Sequence, residues 1–392
     1  MNSQNTPVHI RLWHRDFWLM AFANLLLTAA VYMLVPTMPR WLTDSQGLSS
    51  LEAGLAMGAF GIGLFVLGAF VSFLVQHYRR NVVCIWAVLA MVALIGLLYY
   101  VDTQRCEFVE FWLVLLQRFA LGAAFGLAQM VLTSTLIIDT SESYQRTEAN
   151  HAAAWFGRFA LSLGPLAGLL LQRLIGFDSV LLVSGCVAVA AVVLIWMVDF
   201  PFRTPEDDIP VVSFDRFFLP HGFPLFVNML LITLAVGLLF SLPLSEYFYA
   251  QMMVGFLFAL LAQRFVFRDA EVKSEVVSGL ILMGAAILMM LTRTQKDIVA
   301  YAAPVFVGFS LGIIGSRFML FFIKLSRHCQ RGTSQSTFLL GWESGIALGL
   351  GVGLAFFQSD SNALLFTALV LVVIALILYH FTHNWFLTHK NR

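Results

Sequence analysis

Charge is scarce in this sequence of 392 residues: Asp, Glu, Lys and Arg make up 11% of it, against about 25% in an ordinary soluble domain. Hydrophobic residues reach 60%. No soluble fold of this size can hide so much apolar surface, so lipid must cover much of it. Basic excess is also missing. A net charge of +1 does not supply the concentrated basic surface that nucleic-acid backbones require. The four cysteines, Cys84, Cys106, Cys186 and Cys329, are scattered without CxxC or metal spacing, which argues against a disulfide framework and a metal site. GxxxxGK[ST], HExxH and GxSxG at a span mouth are all absent, and no His/Asp cluster replaces them. ATP drive and membrane-embedded hydrolysis are therefore disfavoured, and no cofactor is expected. No stretch is large enough for an appended catalytic or signalling domain, which also disfavours a receptor.

What is present is long apolar runs. A helix needs roughly 20 mainly apolar residues to cross the hydrocarbon core. That rule predicts twelve spans, at 17–38, 51–76, 81–101, 108–138, 147–173, 178–198, 223–243, 245–265, 275–292, 298–324, 333–357 and 362–386. No small-residue cleavage site accompanies the first run, which is expected as a retained helix. The expected fold is an all-α membrane protein of two six-helix bundles, residues 1–198 and 223–392, joined by a polar, proline-containing linker at 199–222.

Loop charges predict the orientation. With the N-terminus cytoplasmic, the inner side carries fifteen basic residues: Arg11, Arg15, Arg79, Arg80, Arg146, Arg203, Arg216, Arg264, Arg268, Lys273, Lys324, Arg327, Arg331, Lys390 and Arg392. The outer side carries five, namely Arg40, Arg105, Arg173, Arg293 and Lys296. Both termini are expected in the cytoplasm of a cell whose inner (plasma) membrane holds the chain.

The second half echoes the first. Gly68 and Gln76 match Gly255 and Gln263 at an offset of 187; Gly122 and Gly126 match Gly308 and Gly312 at 186. Gln145-Arg146 matches Gln330-Arg331 at 185, and the same offset carries Gly164 and Gly168 onto Gly349 and Gly353. Small residues four apart let helices approach closely in lipid. Several in order at one offset indicate a repeated six-helix unit.

Two parallel halves related by an axis along the membrane normal are the arrangement of major facilitator superfamily transporters, and the sequence resembles that superfamily over nearly its whole length. Arg118-Phe-Ala-Leu-Gly122-Ala-Ala-Phe-Gly126 is similar to its RxxxG motif. Gly157 followed by Gly164-Pro165-Leu-Ala-Gly168 looks like the GPxxG motif of proton-coupled exporters. Arg331-Gly-Thr-Ser-Gln-Ser-Thr with Trp342-Glu343-Ser-Gly345 resembles a run in drug- and arabinose-efflux-like members. Between the second and third spans, GAFVSFLVQHYRR keeps Gly68, Arg79 and Arg80 of the family's GxLxDRxGRR gating loop but lacks its aspartate. Gln76 or a neighbour is the candidate to stand in. The resemblance implies alternating access by a monomer, with a small-molecule substrate and protons as partners.

Ionisable groups near the bilayer centre cost about 2.5–3.5 kcal/mol each and mark a pathway or a buried partner. Arg118 is either a structural arginine on a neighbour's carbonyls or a coupling residue; the resemblance favours the latter. Arg158 and Glu343 each lie 13 residues after their Gln-Arg start, which puts opposite charges at one depth in related helices. They are either a counter-charge pair across the cavity or two groups with separate partners. Glu343 is the candidate proton carrier, with substrate and arginine competing for its carboxylate. His151, Trp155 and Arg158 share one helix face, a polar cavity stripe or, for His151 and the preceding Glu148, a cluster at the headgroups. Arg317 is read as partly structural, partly cavity-facing. Asn24, Tyr32 and Asn228 are polar candidates for the cavity lining, with helix-packing hydrogen bonds as the alternative. Export of a small organic molecule is the leading expectation, and uptake of a sugar or organic acid the second.

Overall fold

The computed structural model describes residues 12–103, 110–200, 210–267, 271–293 and 297–391. Arg11, Arg105, Cys106, Arg203, Arg268, Lys296, Arg392, the side chain of Arg293 and positions 201–209 of the expected linker lie outside the described residues.

Among the described residues, regular structure is helical throughout, and twelve helices are long and apolar enough to span a membrane. They are α1 (Arg15–Ser45), α2 (Ser50–His77), α3 (Arg80–Thr103), α4 (Phe111–Asp139), α5 (Arg146–Leu174) and α6 (Phe177–Trp196). After the linker come α7 (Pro220–Phe240), α8 (Glu246–Phe265), α9 (Val272–Thr292), α10 (Asp297–Leu325), α11 (Arg331–Phe357) and α12 (Ser361–His389). Large apolar side chains such as Trp86, Trp112, Leu261 and Phe356 stay exposed on outward faces, where hydrocarbon is their natural solvent.

Two helix ends depart from the hydropathy reading for local reasons. The first helix does not stop at 38; it continues through a π-helical turn, Trp41–Ser45. Pro39 has no N–H for the carbonyl one turn back, and the wider turn absorbs the break. The seventh stops at Phe240 rather than 243. Ser241 there gives its hydroxyl to the Leu238 carbonyl at 2.7 Å, and Pro243 disfavours helix just ahead of it.

The packing repeats. Helix α1 lies against α5 and α6, α2 against α4, and α3 against α4 and α6. Six helices later the same pairs recur: α7 with α11 and α12, α8 with α10, α9 with α10 and α12. Between the two sets, α2 runs against α11 and α5 against α8, with α4–α11 and α5–α10 as lesser contacts. Small residues make these approaches possible, since lipid offers helices no hydrophobic drive to associate. A Cβ at Gly126 would come 2.6 Å from the Leu64 carbonyl oxygen. Gly122 faces the Phe60 carbonyl of the same helix equally tightly. On α5, Gly164 would meet the Tyr32 Cβ at 2.8 Å, and Gly168 abuts Met33. Pro165 is accommodated inside α5.

The linker's second part is tied to the helix ends on the face that carries both termini. The Ser213 N–H donates to the Ala69 carbonyl at 2.9 Å. Asp215 accepts from Ser72 Oγ of α2 at 3.2 Å and from Thr333 Oγ1 of α11 at 3.1 Å. Thr333 Oγ1 accepts in turn from the Arg216 N–H at 2.8 Å, and Thr337 Oγ1 from the Leu219 N–H at 2.8 Å. The Phe217 ring fills the space that the missing side chain of Gly68 leaves open. Arg216 adopts φ 57, an uncommon backbone state for a residue with a side chain. Gln76 donates to Ser72 at 2.9 Å, but the carboxylate at this helix end comes from the linker. Asp215 thus bridges α2 and α11 where the gating-loop aspartate is missing.

Removing that carboxylate strands two hydroxyls. Asp215→Ala is expected to cost about 1–3 kcal/mol. A melting midpoint lowered by a few degrees and faster amide exchange at Arg216 and Leu219 would be its signature. Unchanged exchange there would mean that something other than Asp215 holds the strap.

Candidate substrate and coupling site

Twelve residues into their helices, at 1.5 Å per residue, Arg158 and Glu343 lie about 18 Å from one membrane face, close to the middle of the core. Both are buried, 3% and 5% exposed. The repeat equates their depths, but it does not bring them together. Among the described residues no ion pair includes either one. The counter-charge pair that the sequence left open is absent from this conformation. The physical reason is the packing: α11 turns toward α2 and α4, whereas α5 turns toward α8 and α10.

Glu343 crosses the seam to the first half. Its carboxylate accepts from Tyr32 Oη at 2.8 Å and from Gln129 Nε2 at 3.3 Å. Tyr32 and Gln129 are themselves buried, 2% and 4% exposed. Gln129 precedes a π-helical turn, Leu132–Leu136, in which the Thr133 hydroxyl donates to the Gln129 carbonyl at 2.7 Å and that of Thr135 to Val131 at 2.5 Å. Such turns recur at functional sites because they re-aim nearby side chains. Gln129 is a site residue that sequence reasoning missed; an amide in mid-span was the available signal.

Arg158 crosses in the opposite direction. Its guanidinium lies 4.7 Å from the Trp155 ring centroid, and none of its three nitrogens has a hydrogen-bond partner. Room for it comes from Gly315 of α10, where a Cβ would lie 2.9 Å from Arg158 Nε and 2.7 Å from Trp342 Cζ3. Trp342 thus stands against the same glycine as Arg158. Two turns closer to the termini than Arg158, His151 Nε2 sits 2.6 Å from Ser316 Oγ, which donates to Gln263 Oε1 at 3.1 Å. His151, Trp155 and Arg158 therefore do share a face, and α8 and α10 meet it. Glu148 is exposed at the helix end.

The remaining candidates sit apart from this cluster. Asn24 donates to the Ala153 carbonyl at 3.0 Å and Asn228 to that of Ala375 at 3.2 Å, so both tie neighbouring helices together. Arg317 does not stand free toward the cavity: Nε and Nη2 lie 2.6 Å from Glu275 Oε2 of α9. Glu275, read as the first residue of a span, turns out to be 1% exposed. Arg118 is buried under the Phe60 ring, 4.9 Å from its centroid, with Nε and Nη1 unpartnered. In the gating loop, Arg80 is paired with Asp139 of α4, and Arg79 is exposed. No group of three or more possible metal ligands occurs among the described residues.

Cavities indent the seam from both faces. One of about 220 Å³ is lined by Val35, Arg40, Asp44, Phe240, Gly353 and Leu364. The other, about 200 Å³ on the face of the termini, includes Arg80, Asp139, Arg146, Arg216 and Arg331. The Glu343 and Arg158 clusters lie at depth between them.

Residues 20–350 match the sequence profile of the Major Facilitator Superfamily. Among curated proteins, none matches the chain by sequence. Solved structures do. An aspartate-to-alanine variant of the nucleoside transporter NupG superposes with TM-score 0.66 at 11% identity, over 92% of this chain and 98% of that one. The human organic anion transporter MFSD10 (TETRAN) gives 0.68 at 15% identity, over 93% and 98%. At such identities the likeness is one of fold.

The Arg317–Glu275 pair gives a direct test of these placements. Arg317→Gln leaves a buried carboxylate without its cation and is expected to cost about 3–5 kcal/mol. Glu275→Gln with Arg317→Gln should restore most of it, since both charges are then gone. Additive losses in thermal denaturation would show that the two do not form one pair.

Proposed function

The chain belongs to the major facilitator superfamily, and from that premise we propose that it is a proton-coupled exporter of a small organic molecule, working by alternating access. The halves 1–198 and 223–392 are the moving units, and the recurrence of helix pairs in the second half supports that division. The excess of basic residues in one set of loops supports an orientation with both termini in the cytoplasm.

The observation that carries the coupling is Glu343. Its two partners, Tyr32 and Gln129, belong to the other half. A tyrosine hydroxyl can bond a carboxyl in either protonation state, and a glutamine amide offers both a donor and an acceptor. The group can therefore gain or lose a proton without losing its partners. Rocking of the halves separates Glu343 from both and opens it to water on one side. Proton occupancy is thereby tied to which way the cavity faces. The Gly164-Pro165-Leu-Ala-Gly168 stretch supports export through its resemblance to the GPxxG motif of proton-coupled exporters, and its glycines let α1 and α5 lie in close contact.

In proteoliposomes, Glu343→Gln is expected to abolish accumulation driven by a pH gradient while leaving counterflow of labelled substrate intact. That split arises because counterflow needs the rocking motion but no net proton movement. Gradient-driven transport that survives in Glu343→Gln would refute the assignment. Movement of substrate with the proton, rather than against it, would reverse the direction to uptake.

A further inference from the structure

The buried polar atoms without partners include a group around Arg158, where α5 meets α8 and α10: Arg158 Nε, Nη1 and Nη2, Trp155 Nε1 and, from α8, Gln263 Nε2. Every one is a hydrogen-bond donor. The acceptors nearby are already used: Gln263 Oε1 takes the Ser316 hydroxyl, and Ser316 Oγ lies 2.6 Å from His151. An arginine 3% exposed is expensive without an anion, because a lone charge at this depth has lost its water and gained nothing in return. Arg317 of the second half has its carboxylate in Glu275, and Arg118, also without an anion, packs under Phe60 between helices of the first half. Arg158 has only the π face of Trp155.

We infer that this wall is the substrate subsite and that the substrate is an organic anion, its carboxylate or phosphate seated on Arg158. This rests on the transporter reading above and narrows it. The planar guanidinium offers two parallel N–H donors to such a group, the geometry that makes arginine rather than lysine suited to bidentate anions. Trp155 Nε1 and Gln263 Nε2 supply further donors at the rim. Trp342, against Gly315, gives the apolar part of the molecule a flat surface. Gly315 is itself a positioning residue: a side chain there would push into both Trp342 and Arg158.

The test uses the purified full chain in detergent and a matched panel: monocarboxylates, dicarboxylates and sugar phosphates, each beside its uncharged amide or alcohol. Melting midpoints are read with and without each compound. At least one anion is expected to stabilise the protein while its neutral counterpart does not. In Arg158→Gln its affinity should fall roughly 10- to 100-fold, Arg158→Lys should lose less, and Glu343→Gln should keep binding. Without ligand, Arg158→Gln should melt no lower than the parent, because the lost charge had no ion-pair partner; a drop of many degrees would overturn the inference by showing a structural role. Equal stabilisation by neutral counterparts, stabilisation by amines or neutral compounds alone, or by no anion in the panel, would also overturn it. An anion that binds through Arg158 yet shows no counterflow in proteoliposomes would instead count against the transport reading and leave the site standing.

Discussion

A charge placed at the centre of a membrane must find a partner or keep a reason to lack one, and most of this molecule's central architecture follows from how three such charges are held. Arg317 is neutralised by Glu275 within the second half. Glu343 and Arg158 are not neutralised at all. Glu343 reaches across the seam to Tyr32 and Gln129 of the other half, while Arg158 lies over Trp155 of its own helix and faces Gly315 of the other half. Buried polar groups left so are costly, and their cost depends on whether the seam is closed or wet. In the proposed mechanism the equilibrium between the halves is sensitive to a proton on one and an anion near the other, which links binding to rocking through these two side chains.

The seam combines close small-residue packing, Gly54 and Gly58 against Gly351, with ring contacts such as Phe65 to Phe226 and Phe159 to Phe256 and a few hydrogen bonds. On the face of the termini the linker adds Asp215, shared between Ser72 and Thr333. On the opposite face Arg173 of α5 pairs with Glu246 of α8. Exposed pairs of this kind contribute little individually, which suits contacts that form and break in the proposed cycle.

The twelve helices were legible because hydrocarbon imposes one rule on all of them, and the repeat was legible as glycines at a near-constant offset. Depth was legible for Arg158 and Glu343 for the same reason. Their partners were not. Tyr32 and Glu343 are 311 positions apart, and no periodicity within one helix reports which neighbour a side chain meets. Symmetry equates heights but does not create contacts, so the sequence could not separate a direct pair from two separate sites. Glu275 was hidden as the first residue of a span, which left Arg317 without a visible counter-charge. The missing gating-loop aspartate pointed to Gln76 as stand-in, whereas the carboxylate is that of Asp215, 143 positions from the Ser72 that donates to it. Both signs of charge occur in the spans, so the proposal of an anionic substrate rests on Glu343 being hydrogen-bonded and Arg158 not.

The central claim is that the proton on Glu343 decides how the halves sit. Spin labels at Ser45, the exposed last residue of α1, and at Ser359, exposed between α11 and α12, lie in opposite halves on the face away from the termini and measure that arrangement when the native cysteines are replaced. Moving from alkaline to acid buffer should shift the interspin distance distribution in the parent protein, and Glu343→Gln should hold a single distribution at both. The same pH-dependent shift in Glu343→Gln would contradict the account.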